Sequence, residues 1–321
     1  MRRLVVSGLA LVFLIPVFLF SYSKAPATEV DKKVEEGKKG YAGVEVCQTC
    51  HHMQETGVLD RFPKTTMGIL FLNHPRDAAE KLGCETCHGP AEEHAASGGK
   101  TFAGMIRYTK GSQTPVPVRN DACLKCHQRK QQMFWQGSPH DVKDVGCTEC
   151  HVVHAEPGIY ARHQLKRVTV EDTCNVCHKK QVSEEMRFSH HPLREGKMTC
   201  VDCHNPHGTV SPKLVKGLSN NELCFNCHAQ YRGPFIFQHP PVMEDCFNCH
   251  QPHGSAYPSL LKVPPIRLCR DCHIVFHELS LSQPGSTKRA VMRPNEALSG
   301  CLNCHRQIHG SNSINGNLFL H

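Results

Sequence analysis

The sequence predicts a mostly irregular chain, with short α-helices wrapped around a linear array of covalently bound groups and almost no β-sheet. The motif Cys-x-x-Cys-His occurs ten times and uses all 20 cysteines. From Cys123 to Cys269 the motifs recur at short, similar intervals, as in repeat arrays whose units contact mainly their neighbours. Only 39% of the 321 residues are hydrophobic and 7% are aromatic, so the bound groups must supply much of the core.

The recurring motif is typical of a c-type haem attachment site. Two thiols separated by two residues add to the vinyl groups of one haem, and the adjacent histidine reaches the iron as proximal ligand. We therefore expect a multihaem cytochrome c with ten covalent haem c groups in a linear array. The attachment residues are Cys47, Cys50, Cys84, Cys87, Cys123, Cys126, Cys147, Cys150, Cys174, Cys177, Cys200, Cys203, Cys224, Cys227, Cys246, Cys249, Cys269, Cys272, Cys301 and Cys304. The proximal histidines are His51, His88, His127, His151, His178, His204, His228, His250, His273 and His305.

Two other uses of paired cysteines fit less well. A disulfide framework does not require a histidine after every second cysteine. Zinc ribbons take four ligands per metal from two Cys-x-x-Cys arms, again without an obligatory histidine after each arm. Ten complete motifs with no cysteine left over favour haem attachment over both.

The remaining histidines supply candidates for the second axial ligand. The chain has 24 histidines, of which 14 are not in motifs. When the motifs are grouped in consecutive pairs, each pair has a histidine before its second motif and another shortly after it. The ten distal candidates are His74 and His94, His140 and His154, His191 and His207, His239 and His253, and His277 and His309. The sequence leaves open which candidate serves which haem.

A recurring His-Pro pair guides one of these assignments. It occurs at His74, His191 and His239, so His191 is preferred to His190. Proline favours an extended conformation in the residue before it, which could aim the imidazole at iron. The other histidines, which we expect to be solvated, are His52, His163, His190 and His321.

Bis-histidine ligation has a consequence for function. It implies low potentials and leaves no open coordination position for a substrate. No methionine recurs at a fixed offset from the motifs. We therefore expect an electron carrier rather than an enzyme.

The formal charge of +8 does not indicate a nucleic-acid partner. Lysine and arginine are spread along the chain, without a sustained basic run or a recognised binding motif. With two ionised propionates per haem, ten haems would move the net charge to roughly −2 when oxidised and about −12 when reduced. Many basic residues are therefore expected to neutralise propionates.

Three segments are expected along the chain. Residues 1–27 are predicted to be a signal peptide or an N-terminal anchor, because a basic start precedes an apolar run from Leu4 to Phe20. Residues 28–46 are predicted to be a flexible tether. Residues 47–321 form the decahaem domain, built of paired-haem repeats. The protein is thus expected to be exported.

Polar residues before several odd-numbered motifs predict short helices there. Asn120-Asp121, Glu171-Asp172 and Asn220-Asn221 precede Cys123, Cys174 and Cys224, and such residues suit helix N-caps. The longer gaps are rich in Gly, Ser, Pro and charge and are expected to be surface loops; they run from Gly89 to Asp121 and from Glu278 to Gly300.

The motifs give the chain a family resemblance. The Cys-x-x-Cys-His-x-Pro-His-Gly units at Cys200 and Cys246, and the stretch 221–273 with its His239-Pro240-Pro241, carry it. The chain resembles the periplasmic decahaem cytochromes of the MtrA and DmsE type. The resemblance implies a staggered haem wire inside an outer-membrane β-barrel porin, with periplasmic and extracellular cytochromes as redox partners. It places the protein on the periplasmic side, associated with the outer membrane. His94 departs from the pattern, because it lies six residues after His88 where three is usual in this chain.

Several functions remain open at this stage. The first is a decahaem wire that carries electrons across the outer membrane for extracellular electron transfer in anaerobic respiration. The alternatives are a soluble periplasmic electron donor to a terminal reductase, a multihaem reductase of nitrite or hydroxylamine, and a structural filament. A reductase needs a haem with an open or unusual axial position, against which the supply of histidines argues.

Overall fold

The computed structural model of the chain describes residues 40–51, 58–154, 163–273, 300–314 and 319. The predicted signal segment 1–27 and residues 28–39 of the predicted tether lie outside this part. So do His52, His277 and His321, as well as the predicted loop over 278–299.

The described residues form short helices joined by irregular segments, and they include isolated β-bridges but no strand. The predicted fold class is confirmed. The α-helices are Val44–His51, Val58–Arg61, Thr66–Asn73, Cys84–His88, Glu92–Ala96, Val116–Leu124, Pro139–Val142, Cys147–Cys150, Val170–Cys174, Lys179–Glu185, Cys200–Cys203, Asn220–Phe225, Pro240–Glu244 and Pro265–Arg270. The 3₁₀ helices are Phe62–Lys64, Glu80–Leu82, Lys130–Gln132, Pro212–Leu214, Ala229–Tyr231, Cys246–Asn248, Pro258–Leu260 and Cys301–Asn303. None of the described helices is long and apolar enough to span a bilayer.

The helices predicted at the odd-numbered motifs are present, but their caps differ from the prediction. Thr169 caps the helix that ends at Cys174 by accepting a hydrogen bond from Asp172 N. Ser219 caps the helix that holds Cys224 in the same way. The acidic and amide residues that follow these caps are therefore free for other contacts.

In three of the five pairs, an amide or acidic residue of the helix at the odd-numbered motif clamps that motif to the even-numbered motif that follows it. The residue three positions before the odd motif's first cysteine accepts a hydrogen bond from the amide of the even motif's first cysteine. The contacts are Cys147 N to Asn120 Oδ1 (2.9 Å), Cys200 N to Glu171 Oε1 (3.2 Å) and Cys246 N to Asn221 Oδ1 (2.6 Å). Asn120 and Asn221 are buried, so the clamp is internal to each pair of motifs.

Even-numbered motifs also fold back on the chain that follows them. Their histidines form antiparallel bridges across a turn, which are His151 with Leu165, His204 with Val215 and His250 with Leu261. Each bridge brings a carbonyl of the turn toward the histidine ring.

Successive pairs of motifs meet at backbone junctions of very close approach. Ser189 forms an antiparallel bridge with Ser255, and Phe237 forms one with Ser311. A Cβ on Gly254 would overlap the carbonyl of Glu184. Because φ of Gly254 is +153°, both the space and the conformation favour glycine at this position.

Ordered contacts begin before the end of the predicted tether. Ala42 N and Gly43 N each donate to the Glu85 carboxylate at 2.9 Å, and Gly40 O accepts from Glu92 N. The first helix in the described part of the chain begins at Val44, so residues 40–46 belong structurally with the residues that follow them.

Few apolar side chains are buried in the described part of the chain. They are Phe62, Phe71, Ala91, Ala122, Trp135, Val215 and Leu261. Small apolar clusters of this kind do not make one continuous core, so the fold relies on groups that the chain binds.

Candidate haem-binding sites

The thiols of the ten motifs follow one another in single file. Within each pair of motifs the two first cysteines lie side by side: Cys47 with Cys84, Cys123 with Cys147, Cys174 with Cys200, Cys224 with Cys246, and Cys269 with Cys301. Between pairs the second cysteines are neighbours: Cys87 with Cys126, Cys150 with Cys177, Cys203 with Cys227, and Cys249 with Cys272. The ten motifs, numbered as candidate sites one to ten in chain order, therefore follow one another in space in the same order.

Eight proximal histidines each have a distal candidate opposite them. The pairs with their ring-centroid distances are His51–His94 (6.3 Å), His88–His154 (6.0 Å), His140–His178 (6.2 Å), His151–His207 (6.0 Å), His191–His228 (6.4 Å), His204–His253 (6.1 Å), His239–His273 (6.2 Å) and His250–His309 (6.2 Å).

The narrow range of these distances suits one metal ion held between two imidazoles. A metal takes an imidazole nitrogen at about 2 Å, and the ring centre lies roughly 1 Å behind that nitrogen, so the centroids should be about 6 Å apart. Each pair supplies only two ligands, which is what a porphyrin leaves open on iron. In the described part of the chain no cluster of three or more potential ligands is found.

Most distal histidines belong in sequence to a different pair of motifs from the proximal histidine that they face. An even-numbered site receives a histidine from just after the motif two places ahead; for example, His151 of site four faces His207. An odd-numbered site in the middle of the chain receives a histidine from before the preceding motif; for example, His178 of site five faces His140. Our grouping of distal candidates by motif pair therefore does not describe the observed partners, except at site one, where His51 faces His94.

Sites three and ten lack such a pair in the described residues. Cys126 of site three interacts electrostatically with Asp77 and Glu80, so it lies near the segment that carries His74. His74 and His127 do not form a close ring pair there, however. His277, the remaining candidate for His305 of site ten, lies outside the described residues.

The even-numbered proximal histidines are oriented through their other ring nitrogen. Nδ1 of His151, His204 and His250 contacts a backbone carbonyl of the following turn. These contacts are His151 to His163 O (3.0 Å), His204 to Lys213 O (3.0 Å) and His250 to Ser259 O (2.7 Å). With Nδ1–H donating to the carbonyl, Nε2 is left to bind iron.

Each of those carbonyls belongs to a residue with left-handed backbone. His163, Lys213 and Ser259 have φ of 70°, 57° and 56°, and each is followed by a second non-glycine residue with positive φ. Such conformations cost about 1–3 kcal/mol and persist where the surroundings enforce them. The solvated histidine predicted at 163 thus contributes its carbonyl to a site.

The distal histidines of three odd-numbered sites, which are five, seven and nine, each contact a backbone carbonyl from the next pair of motifs. The contacts are His140 Nδ1 to Pro206 O (2.8 Å), His191 Nδ1 to Pro252 O (2.8 Å) and His239 Nδ1 to Ile308 O (2.9 Å). The residue after each carbonyl is itself the distal histidine of the preceding even-numbered site. The distal sides of sites four and five, six and seven, and eight and nine are therefore linked by one hydrogen bond each.

Two of the distal imidazoles are strongly perturbed by burial. Burial lowers the pKa of His154 and of His207 to about 4. Both rings are therefore neutral at neutral pH, and the neutral imidazole is the form that binds a metal.

Unpartnered polar atoms test whether the chain fits haem. Arg119 Nε, Trp135 Nε1 and His207 Nδ1 are buried and have no hydrogen-bond partner among the residues that the structure describes. Buried polar groups are normally paired, and two of these three are obligate donors. Propionate oxygens are acceptors, so they would suit the two donors. The residues present fit the group.

Basic residues border one attachment site as expected for propionates. Lys166, Arg167 and Lys179 line an open groove of about 580 Å³ next to Asn175 and Val176, the two residues between the cysteines of site five. The groove combines apolar surface with positive charge, as a haem edge requires.

His190 makes different contacts from its neighbour His191. Its Nδ1 meets Arg187 O at 2.8 Å and its Nε2 meets Glu195 at 3.2 Å, whereas His191 faces His228. The structure thus brings to a proximal ring the histidine that the His-Pro pattern favours. His239 is extended as that pattern predicts, with φ −93° and ψ 110°, whereas His74 is not, with ψ 48°.

Sequence inspection missed the residues that support the ligands. The clamps Asn120, Glu171 and Asn221 carry a detectable signal, because each lies three residues before an odd-numbered motif. The residues whose carbonyls accept from the proximal histidines carry a weaker signal, a lysine three residues later in each turn, at Lys166, Lys216 and Lys262. The buried Glu184, which faces a distal histidine, has no counterpart in the other repeats that could have drawn attention to it.

Repeated attachment motifs and paired imidazoles define a multihaem c-type cytochrome with covalently bound haem c. The chain is therefore an electron-transfer protein. Two family models agree with this class: the doubled CXXCH motif matches residues 190–233 and 239–277, and the cytochrome c-type protein NrfB-like family matches residues 84–169.

Comparison with known proteins identifies the family. The chain is 40% identical over 292 residues to the multiheme cytochrome MtrA of Shewanella baltica, which covers 90% of this chain and 84% of that protein. It is also 22% identical over 181 residues to the high-molecular-weight cytochrome c of Nitratidesulfovibrio vulgaris, 30% of whose length is covered. The chain belongs to the MtrA family of multihaem cytochromes, which confirms the resemblance read from its motifs.

Proposed function

We propose that this cytochrome carries electrons across the outer membrane as a wire of ten haems inside a β-barrel porin. The single-file order of the attachment sites is the observation that carries the proposal. A bilayer core is about 30 Å thick, so electrons need a row of intermediate sites to cross it. Each haem, when bound, would accept and release one electron at its iron.

The role of the chain in this proposal is to hold and order those groups. Ten Cys-x-x-Cys arms would attach them, and pairs of histidines, eight of which face each other in the described residues, would ligate them from both faces. Carbonyls from strained turns and from neighbouring repeats orient the imidazoles, which favours fixed positions over mobile ones. With both axial positions taken by protein, the sites are suited to electron transfer alone.

The membrane context of the proposal comes from relatedness and from the predicted export signal. The family resemblance implies a porin around the cytochrome and redox partners on both sides, in the periplasm and outside the cell. Residues 1–27 are proposed to direct export, which would place the mature protein on the periplasmic side of the outer membrane. The cytochrome need not be apolar outside in this arrangement, because the lumen of a large barrel is polar.

The proposal is tested with sealed vesicles. Liposomes would enclose a redox dye, and a reductant would be added outside. The cytochrome reconstituted with its barrel partner should reduce the enclosed dye, whereas either protein alone should not. If the cytochrome alone reduces the dye, or if the assembled pair fails to do so, the transmembrane wire is wrong. In the second case a soluble periplasmic donor would replace it.

A further inference from the structure

The distal histidines of the even-numbered sites differ in what faces their second ring nitrogen. Unlike the odd-numbered distal histidines, they are not held by a carbonyl of the next repeat. His207 lies beside Trp135, with ring centroids 6.3 Å apart, and its Nδ1 has no partner. His309 stacks on Tyr231 at 4.2 Å. Sites four and eight therefore have aromatic surroundings on the distal side.

The equivalent histidine of site six faces a carboxylate instead. Nδ1 of His253 lies 3.6 Å from Glu184 Oε2. Glu184 is only 5% exposed. The other oxygen of Glu184 lies 3.9 Å from Lys180 Nζ, whose side chain is largely exposed. A charge buried this deeply is retained where it interacts with a specific partner.

The fold enforces this contact. Glu184 is in the helix Lys179–Glu185, whose end packs directly against Gly254. Arg187 Nη1 donates to Gly254 O at 3.4 Å and adds a second connection. His253 immediately precedes Gly254, so this junction brings its ring to the carboxylate.

A carboxylate opposite an axial imidazole changes the metal site. It attracts the Nδ1–H proton, raises the basicity of Nε2 and so stabilises the more positive, oxidised iron. We propose that Glu184 is a positioning residue that acts through His253 to lower the reduction potential of site six, which Cys200 and Cys203 attach. This rests on the proposed ligation of site six by His253.

A lower reduction potential at site six would place an energetic step in the middle of the row of haems. With haem bound, reduction of site six would take one electron from a neighbouring site, whose iron would be oxidised in return, with no bond made or broken. The negative charge of Glu184 disfavours that reduced state. Site six would therefore be reduced later than the otherwise similar sites four and eight.

Glu184→Gln tests the proposal in the intact holoprotein by spectroelectrochemical titration. The variant keeps the side-chain shape and removes the charge. One haem should become easier to reduce, with its ratio of reduced to oxidised form rising about tenfold at fixed potential, which is 59 mV for one electron. Glu195→Gln, which removes an exposed carboxylate that contacts His190, is the matched control and should leave the titration unchanged. Haem content should stay the same in both.

A double-variant cycle shows whether the effect passes through His253. His253→Met removes the imidazole N–H, so Glu184→Gln should add no further change in that background. If Glu184→Gln changes no potential in the wild-type background, or changes one equally beside Met, the proposal is wrong. If Glu184→Gln destabilises the protein, Glu184→Asp, which retracts the carboxylate, should show a smaller shift in the same direction. No shift in that folded variant would also overturn the proposal. If His253→Met itself alters no haem, the ligand assignment fails, and that failure is distinct from a failure of Glu184.

Discussion

The first site and the middle sites obtain their distal histidines in different ways. At site one, His51 faces His94, which belongs to the same pair of motifs and lies on a short helix. The distance from His94 Nδ1 to the carbonyl oxygen of Thr101 is 2.8 Å, and this contact helps to fix the ring. Sites in the middle exchange histidines with neighbouring pairs, so that His207 serves one pair and belongs in sequence to the next. Ligands that cross between pairs of motifs therefore connect successive pairs. Site one, at the end of the row, takes its distal histidine from its own pair and needs no such connection.

The largest expected effect concerns conduction through the middle of the file. Cys174→Ala with Cys177→Ala should reduce dye reduction in the sealed-vesicle assay to background, because a single file has no bypass around site five. Cys47→Ala with Cys50→Ala removes an end site and should leave measurable transfer. Mass spectrometry should show one haem fewer in each variant. Normal conduction without site five would contradict the single-file account.

Removing one distal histidine should distinguish a ligand that serves a neighbouring pair of motifs from a ligand that serves its own pair. His207→Ala and His94→Ala should each convert one haem to a high-spin form, seen in the absorption spectrum. Only His207→Ala should also loosen a junction between pairs and lower the free energy of unfolding by roughly 4 kcal/mol, because metal ligation is coupled to folding. Equal stability losses in the two variants would remove the distinction between the two regions.

The close junction itself can be tested with alanine. Gly254→Ala should destabilise the protein by about 3 kcal/mol, because the new Cβ overlaps the Glu184 carbonyl and positive φ disfavours a side chain. Gly196→Ala is the control, since its φ is also positive at 67° but no atom lies near the new Cβ. It should cost about 1 kcal/mol. Denaturant unfolding followed by haem absorbance gives both values, and similar losses would argue against a packed junction.

The clamp within a pair should have the smallest effect. Asn221→Ala removes the acceptor for Cys246 N and the amide donor to the Val242 and Met243 carbonyls, and should cost about 2 kcal/mol. Asn226→Ala, at an exposed position after the same helix, is the control. A loss in the control that matches Asn221→Ala would show that the clamp does not stabilise the pair.

The fold class could be predicted from the sequence, and the attachment sites stay a prediction, because both rest on local chemistry. Two thiols and a histidine within five residues suffice to indicate a haem, and short repeats exclude large sheets. The histidine partners could not be predicted, because they depend on how separate repeats meet. His207 and His151 come together only through the junction between pairs, and nothing in the spacing of either motif specifies it. The left-handed carbonyl at Ser259 and the carboxylate of Glu184 likewise depend on tertiary structure.

The most direct test of crossed ligation asks which haem His253 serves. His253→Met should create one His/Met haem, recognised by near-infrared magnetic circular dichroism of the oxidised protein. That signal should disappear when site six is removed by Cys200→Ala with Cys203→Ala. It should persist when site eight, the site beside His253 in sequence, is removed by Cys246→Ala with Cys249→Ala. The opposite outcome, loss of the signal with site eight and persistence without site six, would contradict the crossing of ligands between pairs.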